Sequence, residues 1–139
     1  MRVIFDLNVL LDVLLDRVPH ATDSAAALRL AETHTVEGYL CAAGVGTLDY
    51  LLTRGLDRKQ ARFHLGNVRK TLHIAAVTEA VIDAALALDW PDLEDAIVHE
   101  SARLGGVDAI VTRDLADFSA ASLAIFVPKQ LVAVATRRR

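Results

Sequence analysis

Three carboxylates of this chain stand where a layered α/β protein does its chemistry. Asp6 closes the apolar run Val3-Ile4-Phe5, Asp95 falls in the first turn expected of a late helix, and Asp114, with Asp117 three residues on, follows a second apolar run, Ala109-Ile110-Val111. Ligands of an open α/β sheet bind outside the carboxyl ends of its strands, so acids in these places face the functional edge. Two carboxylates about 5 Å apart repel by roughly 3 kcal/mol at an effective dielectric of about 20. Their convergence therefore calls for a divalent cation, and an all-oxygen donor set selects Mg²⁺ or Mn²⁺ over Zn²⁺. Each acid also has an ordinary use. Asp6 suits a turn or cap, Asp92 and Asp95 suit an N-cap and its partner, and Asp114 and Asp117 suit the short turn before Phe118.

The elements that must carry these residues alternate along the chain. Val3 to Phe5, with no polar alternation, reads as a strand buried on both faces. Asn8 is a candidate cap of the next helix, in which Val9, Leu10, Val13 and Leu14 supply the buried face while Asp12 and Asp16 look outward. A second helix runs from Thr22 or Asp23 to about His34. Gly38 to Cys41 is the second strand, and a helix from about Ala43 to Thr53 is stopped by Gly55. Asp57 caps an amphipathic helix to about Lys70, on which Arg58, Arg62 and Arg69 fall near one face. His73 to Val77 is the third strand, and Thr78 opens a helix carried by Val81, Ile82, Ala85, Leu86 and Leu88. Pro91 to Asp95 begins the helix that ends at Leu104-Gly105-Gly106. Asp108 to Thr112 and Leu123 to Val127 are the last two strands, and Pro128 starts a closing helix. Strand and helix in alternation predict one domain over residues 1–139, a three-layer α/β/α architecture with a mainly parallel sheet of about five strands.

Composition agrees. At 139 residues, 53% hydrophobic and only 5% aromatic, the chain can fill one core with small aliphatic side chains. The single Cys41 excludes an internal disulfide and, with no signal-peptide pattern and no 18-residue apolar run, points to the cytoplasm and away from a membrane. A net charge of −3 argues against a nonspecific nucleic-acid binder. Basic residues nevertheless gather between Arg54 and Lys70 and at Arg137-Arg138-Arg139, a distribution that permits a basic rim around an acidic centre. Gly44-Val45-Gly46 lacks the third glycine of a dinucleotide fingerprint, and no phosphate-binding Gly-Lys-Ser/Thr exists. The five histidines show no paired metal-ligand spacing; His99, one turn after Asp95, is the one that would approach the acids.

In three segments the chain resembles the PIN-domain family, of the group found as VapC-type toxins: Phe5-Asp6-Leu7-Asn8-Val9-Leu10-Leu11-Asp12, Asp92-Leu93-Glu94-Asp95-Ala96, and Ile110-Val111-Thr112-Arg113-Asp114-Leu115-Ala116-Asp117-Phe118. The resemblance runs from Arg2 to about Val127. It implies that Asp6, Asp95 and Asp114 hold the metal and act as the catalytic acids, that Asp117 is an additional acid, and that Asn8 and Thr112 support them. It implies metal-dependent cleavage of RNA, a small antitoxin as partner, and homodimers. The family pattern has a glutamate early in the helix after the second strand, where this chain has Thr47. A threonine hydroxyl can position water but cannot ionise, and Asp49, about 200° further round the helix, does not replace it.

The expected function is thus an Mg²⁺- or Mn²⁺-dependent endoribonuclease of a toxin–antitoxin pair, with Arg58, Arg62 and Arg69 and the terminal arginines guiding RNA. The alternative is a PIN protein whose centre has lost activity and which binds RNA or a partner. A phosphotransferase of the haloacid-dehalogenase type is disfavoured, because that chemistry wants an aspartate where Asn8 stands.

Overall fold

The computed structural model describes residues 1–137. Five strands, β1 (Arg2–Phe5), β2 (Glu37–Cys41), β3 (His73–Ala75), β4 (Ala109–Val111) and β5 (Ala124–Phe126), form one sheet. Its order is β3-β2-β1-β4-β5. Every pairing is parallel. Seven α-helices connect the described strands: α1 (Leu7–Leu14), α2 (Ala21–Glu32), α3 (Val45–Gly55), α4 (Arg58–Thr71), α5 (Glu79–Leu88), α6 (Leu93–Leu104) and α7 (Pro128–Arg137). Single 3₁₀ turns at Ala42–Gly44 and Leu115–Phe118 follow β2 and β4.

β1 is central, and its side chains divide between two cores. Val3 and Phe5 point into the larger one, with α1, α2, α3, α4 and α7. Ile4 points into the smaller one, with α6. β4 repeats the division, Ala109 and Val111 on one side and Ile110 on the other. This two-sided burial is why both strands are unbroken apolar runs. α5 lies against α6 and completes the second helical layer. Gly38 of β2 is required by close approach: a Cβ there would stand 2.6 Å from Leu72 Cδ2 and 2.9 Å from Ala31 Cβ.

Helix starts follow local chemistry. Asp57 accepts from the Gln60 amide, and Thr78 from the Val81 amide, as expected. Two expectations for α1 are overturned. Asp6, not Asn8, is its N-cap, with the side chain accepting from the Leu7 amide. Asp12 does not look outward: it is wholly buried, paired with Arg17 and Arg113. Asp16 is exposed and takes a positive φ of 50° just after the helix. β3 ends at Ala75, two residues short of the expected Val77.

The chain leaves β1 towards β2 and β3, then returns to place β4 on the other side of β1. The carboxyl ends of β1 and β4 therefore flank the point where the winding reverses, the position at which such sheets open a crevice for ligands.

Candidate metal centre

Asp6 and Asp114 stand at that reversal because they follow β1 and β4 directly. Phe5 pairs with Val111, and the Asp6 amide continues the ladder to the Val111 carbonyl at 2.9 Å. Thr112 thereby lies beside Asp6, fully buried, and its hydroxyl becomes the hub of the edge. Thr112 Oγ1 donates to Asp6 Oδ2 at 2.8 Å and accepts from Asn8 Nδ2 at 3.3 Å and from the Asp114 amide at 3.1 Å. The other Asp6 oxygen accepts from the Leu7 amide at 2.9 Å. Both carboxyl oxygens of Asp6 are thus oriented, and the turn that carries Asp114 is tied to the same hydroxyl. Asn8, freed from capping, also accepts the Arg113 amide on Oδ1 at 3.3 Å.

Asp95 enters from the other layer. Asp92 caps α6, accepting from the Glu94 amide at 2.8 Å and the Asp95 amide at 3.3 Å, which puts Asp95 in the first turn. A small pocket of about 30 Å³ lined by Asp6, Cys41, Gly44, Glu94 and Asp95 joins the two edges. Asp117 lies in the 3₁₀ turn after β4, where buried Phe118 anchors the segment against Trp90. A second cavity, about 160 Å³, lies between Trp90, Pro91, Asp92, Asp95, Ala116 and Asp117. Asp114 does not cap the turn it precedes; its side chain is hydrogen-bonded to Asp117 within that turn.

The carboxyls act on one another. Burial pushes Asp95 up to about 7, and the charges of Asp92, Asp6, Asp117 and Glu94 add to it. Asp6 is raised by burial against the opposing Thr112 and Leu7 hydrogen bonds, with further contributions from Asp114 and Asp92. Asp117, although exposed, is raised by partial desolvation and then by its hydrogen bond to Asp114 and the charges of Asp114, Asp6 and Asp92. Glu94 is raised by burial, then by Asp92 and Asp6. The main influences on these acids are burial and other acids, not cations. Asp92 and Glu94 belong to the electrostatic unit although sequence reasoning assigned them only helix-start roles; their signal was the acidic run Asp92-Leu93-Glu94-Asp95.

The donor set fits a hard divalent cation in charge and type, since all of it is carboxylate and hydroxyl oxygen. Among the described residues, no three His, Cys, Asp or Glu side chains stand close enough to enclose a metal ion without adjustment. The fit is of charge and chemistry, with one rigid member, Asp6, and the half-buried Asp95 and exposed Asp117 around it.

Thr47 is half-buried in the first turn of α3, three residues beyond Gly44, which lines the small pocket with Asp6 and Asp95. The expected arginines lie on α4. Arg62 is held by Asp49, with Nε at 2.9 Å and Nη2 at 3.4 Å. Arg69 donates to the Leu72 carbonyl at 2.9 Å and lines a cavity of about 460 Å³ with Glu37, Gly38 and His73. Those residues begin β2 and β3, so Arg69 sits at the amino edge of the sheet, opposite the acids; a single arginine track including it does not form. Arg58 is exposed at the start of α4. Of the closing arginines, only Arg137 falls among the described residues. His99 does not reach the acids: it is buried beside Trp90, its ring nitrogens at 3.2 Å from Glu100 Oε2 and 3.1 Å from the Ser122 amide.

Fold and edge together define a parallel α/β protein with a carboxylate cluster at the reversal point of its sheet. The model of the PIN domain matches residues 2–116, and the chain belongs to that family. No curated protein matches it significantly. Its fold is similar to that of VapBC2 from Rickettsia felis, solved bound to a promoter DNA fragment, with a TM-score of 0.70 and 13% identity over 90% of this chain and 97% of that one. It is also similar to a toxin–antitoxin complex from Klebsiella pneumoniae, with a TM-score of 0.69 and 19% identity over 91% and 97%. FitAcB from Neisseria gonorrhoeae gives a TM-score of 0.62 and 20% identity over 91% and 97%.

Proposed function

We propose that this chain is a divalent-metal-dependent endoribonuclease, the toxin of a toxin–antitoxin pair, with Asp6, Asp95 and Asp114 holding Mg²⁺ or Mn²⁺ and Asp117 as an additional acid. The observation that carries this reading is the gathering of acids at the reversal point of the sheet: Asp6 and Asp95 line one pocket, Asp95 and Asp117 line the cavity beside it, and the Thr112 hydroxyl ties Asp6 to the Asp114 turn. Bound there, the cation would acidify a water and offset charge developing on a phosphodiester. The chain's own residues hold the frame. Thr112 and the Leu7 amide fix Asp6, Asp92 sets the start of α6 that presents Asp95, and the Thr112 hydroxyl secures the turn bearing Asp114. Asp95, with its pKa near neutrality, would hold a cation only as the carboxylate, so binding would weaken at acidic pH. The cavity beside Trp90 leaves room next to the acids for an unstacked nucleotide.

Arg58 is the one of the three expected arginines left to guide the RNA backbone, Arg62 serving only when released from Asp49. The antitoxin has support in the toxin–antitoxin neighbours, and Tyr50 and Phe63, exposed at 60% and 67% on α3 and α4, offer apolar surface for it or for a homodimer. No described helix is long and apolar enough to cross a membrane, and the reading places the protein in the cytoplasm, over one domain spanning residues 1–139. The test is cleavage of a panel of RNAs with Mn²⁺ by the wild type, Asp6→Asn and Asp95→Asn. Loss in both folded variants supports the centre; retained cleavage in both refutes it.

The second reading is a PIN protein without catalysis, acting as an RNA- or partner-binding module. Thr47 in place of the glutamate, and the absence of a closed triad of donors among the described residues, favour it. RNA binding with no response to millimolar Mn²⁺ would establish it.

A further inference from the structure

Asp12 is the only aspartate or glutamate among the described residues with no exposed surface at all, and it takes no part in the acidic edge. Its Oδ2 accepts from Arg113 Nε at 2.6 Å and from Ser24 Oγ at 3.1 Å, and its Oδ1 accepts from Arg17 Nε at 3.1 Å. Taking the Asp12 carboxylate out of water costs desolvation energy that offsets much of its attraction to Arg113 and Arg17, whose side chains stay 30% and 39% exposed. A buried carboxylate with three partners is therefore better explained by the geometry it imposes.

That geometry reaches the acids. Arg113 lies between Thr112, which fixes Asp6, and Asp114, the acid after β4. Its side chain is held by Asp12 and its amide by Asn8, one helical turn earlier on the same face of α1. Arg17 adds a bond from Nη2 to the Asn8 carbonyl at 3.1 Å, so the helix face that grips the segment is itself braced. The grip also commits the guanidinium nearest Asp114 in sequence to a carboxylate outside the centre, leaving the acids for a cation.

We propose that buried Asp12 and half-buried Arg113 form a clamp that positions the segment 112–117, and so the carboxyls of Asp114 and Asp117, for metal binding. Asp12 and Arg113 are positioning residues; neither needs to touch metal or RNA. The inference rests on the metal-centre reading, but its first half concerns the chain alone.

Two measurements separate those halves. Amide hydrogen exchange across residues 112–117 of the metal-free protein reads the clamp directly, and Mn²⁺ affinity, followed by the signal of free Mn²⁺, reads its effect. The variants are Asp12→Asn and Arg113→Gln, with Ser24→Ala as the control that loses a bond to the same carboxylate from α2. Faster exchange and Mn²⁺ affinity weakened about tenfold or more are expected in the first two, the range typical of residues that orient metal ligands. Ser24→Ala should stay within about twofold on both. Unchanged exchange in Asp12→Asn and Arg113→Gln overturns the clamp, as does equal loosening in all three variants. If the segment loosens selectively but wild type binds no Mn²⁺, the clamp stands and the metal reading falls. Should Asp12→Asn fail to fold, Arg113→Gln decides alone, because Asp12 keeps Arg17 and Ser24.

Discussion

Replacing Asp95 by asparagine sets two physical readings against each other with opposite signs. As the third residue of α6, inside its first turn, an ordinary aspartate gains about 0.3–1 kcal/mol from the helix dipole, and asparagine would lose it. As a member of a repelling cluster, Asp95 instead burdens the folded state whenever it is ionised. A rise from 3.8 to about 7 would amount to roughly 4 kcal/mol in a dry site. Asp95 is only half-buried, so solvent screening leaves a fraction of that, on the order of 1–2 kcal/mol. Asp95→Asn should therefore melt higher than wild type at pH 7.5 without metal, by roughly 3–8 °C for a chain of this size. The sign with pH follows from proton counting. Between about pH 4 and 7 the folded state holds a proton on Asp95 that the unfolded chain has lost, so wild-type stability falls as pH rises through this window. The raised Asp6, Glu94 and Asp117 act in the same direction, whereas Glu37 and Glu100, which are depressed, matter only at more acidic pH. The advantage of Asp95→Asn should vanish near pH 4. Saturating Mn²⁺, about a hundred times its dissociation constant, should add about 2.7 kcal/mol to the wild type and less to the variant. Thermal unfolding across pH, with and without Mn²⁺, checks each part. A variant that melts lower at pH 7.5, or by a pH-independent margin, would refute the repulsion argument.

Thr112→Val keeps the buried volume but removes the hydroxyl shared by Asp6, Asn8 and Asp114; a loss of about 1–3 kcal/mol in denaturant unfolding is expected, with Thr112→Ser close to wild type. Equal stability of Thr112→Val and wild type would show that the hub is dispensable. Thr47→Glu restores an ionisable group at the family's glutamate position, and tighter Mn²⁺ binding by calorimetry is the expected outcome. Unaltered affinity would place position 47 outside the centre.

Much of this molecule was legible in its sequence. Val3 to Phe5 and Ala109 to Val111 had to be strands covered on both faces, because a continuous apolar run has no side to offer solvent. Alternation of such runs with amphipathic segments then implied the parallel sheet, and with it a functional edge after β1 and β4, where Asp6 and Asp114 stand. Caps were readable for the same local reason: Asp57 and Thr78 satisfy amides three residues away, which requires no knowledge of the rest of the chain.

What remained hidden depended on partners distant in sequence. Asp12 carries a charge, and helical periodicity alone assigns a charge to water; only the fold brings Arg113, 101 positions later, and Ser24 to bury it. Asn8 has the chemistry of a cap, but Thr112 and Arg113 compete for its amide group once β4 pairs with β1. Arg69 shares a helix with Arg58, yet it ends beside the first residues of β2 and β3, at the sheet edge away from the acids. Sequence fixes which groups a segment can offer, since propensity and capping act over a few residues. Which of those groups meet, and whether a charge faces water or another charge, is decided by long-range packing, because Coulombic and hydrogen-bond energies depend on the distance and burial that only the folded chain defines.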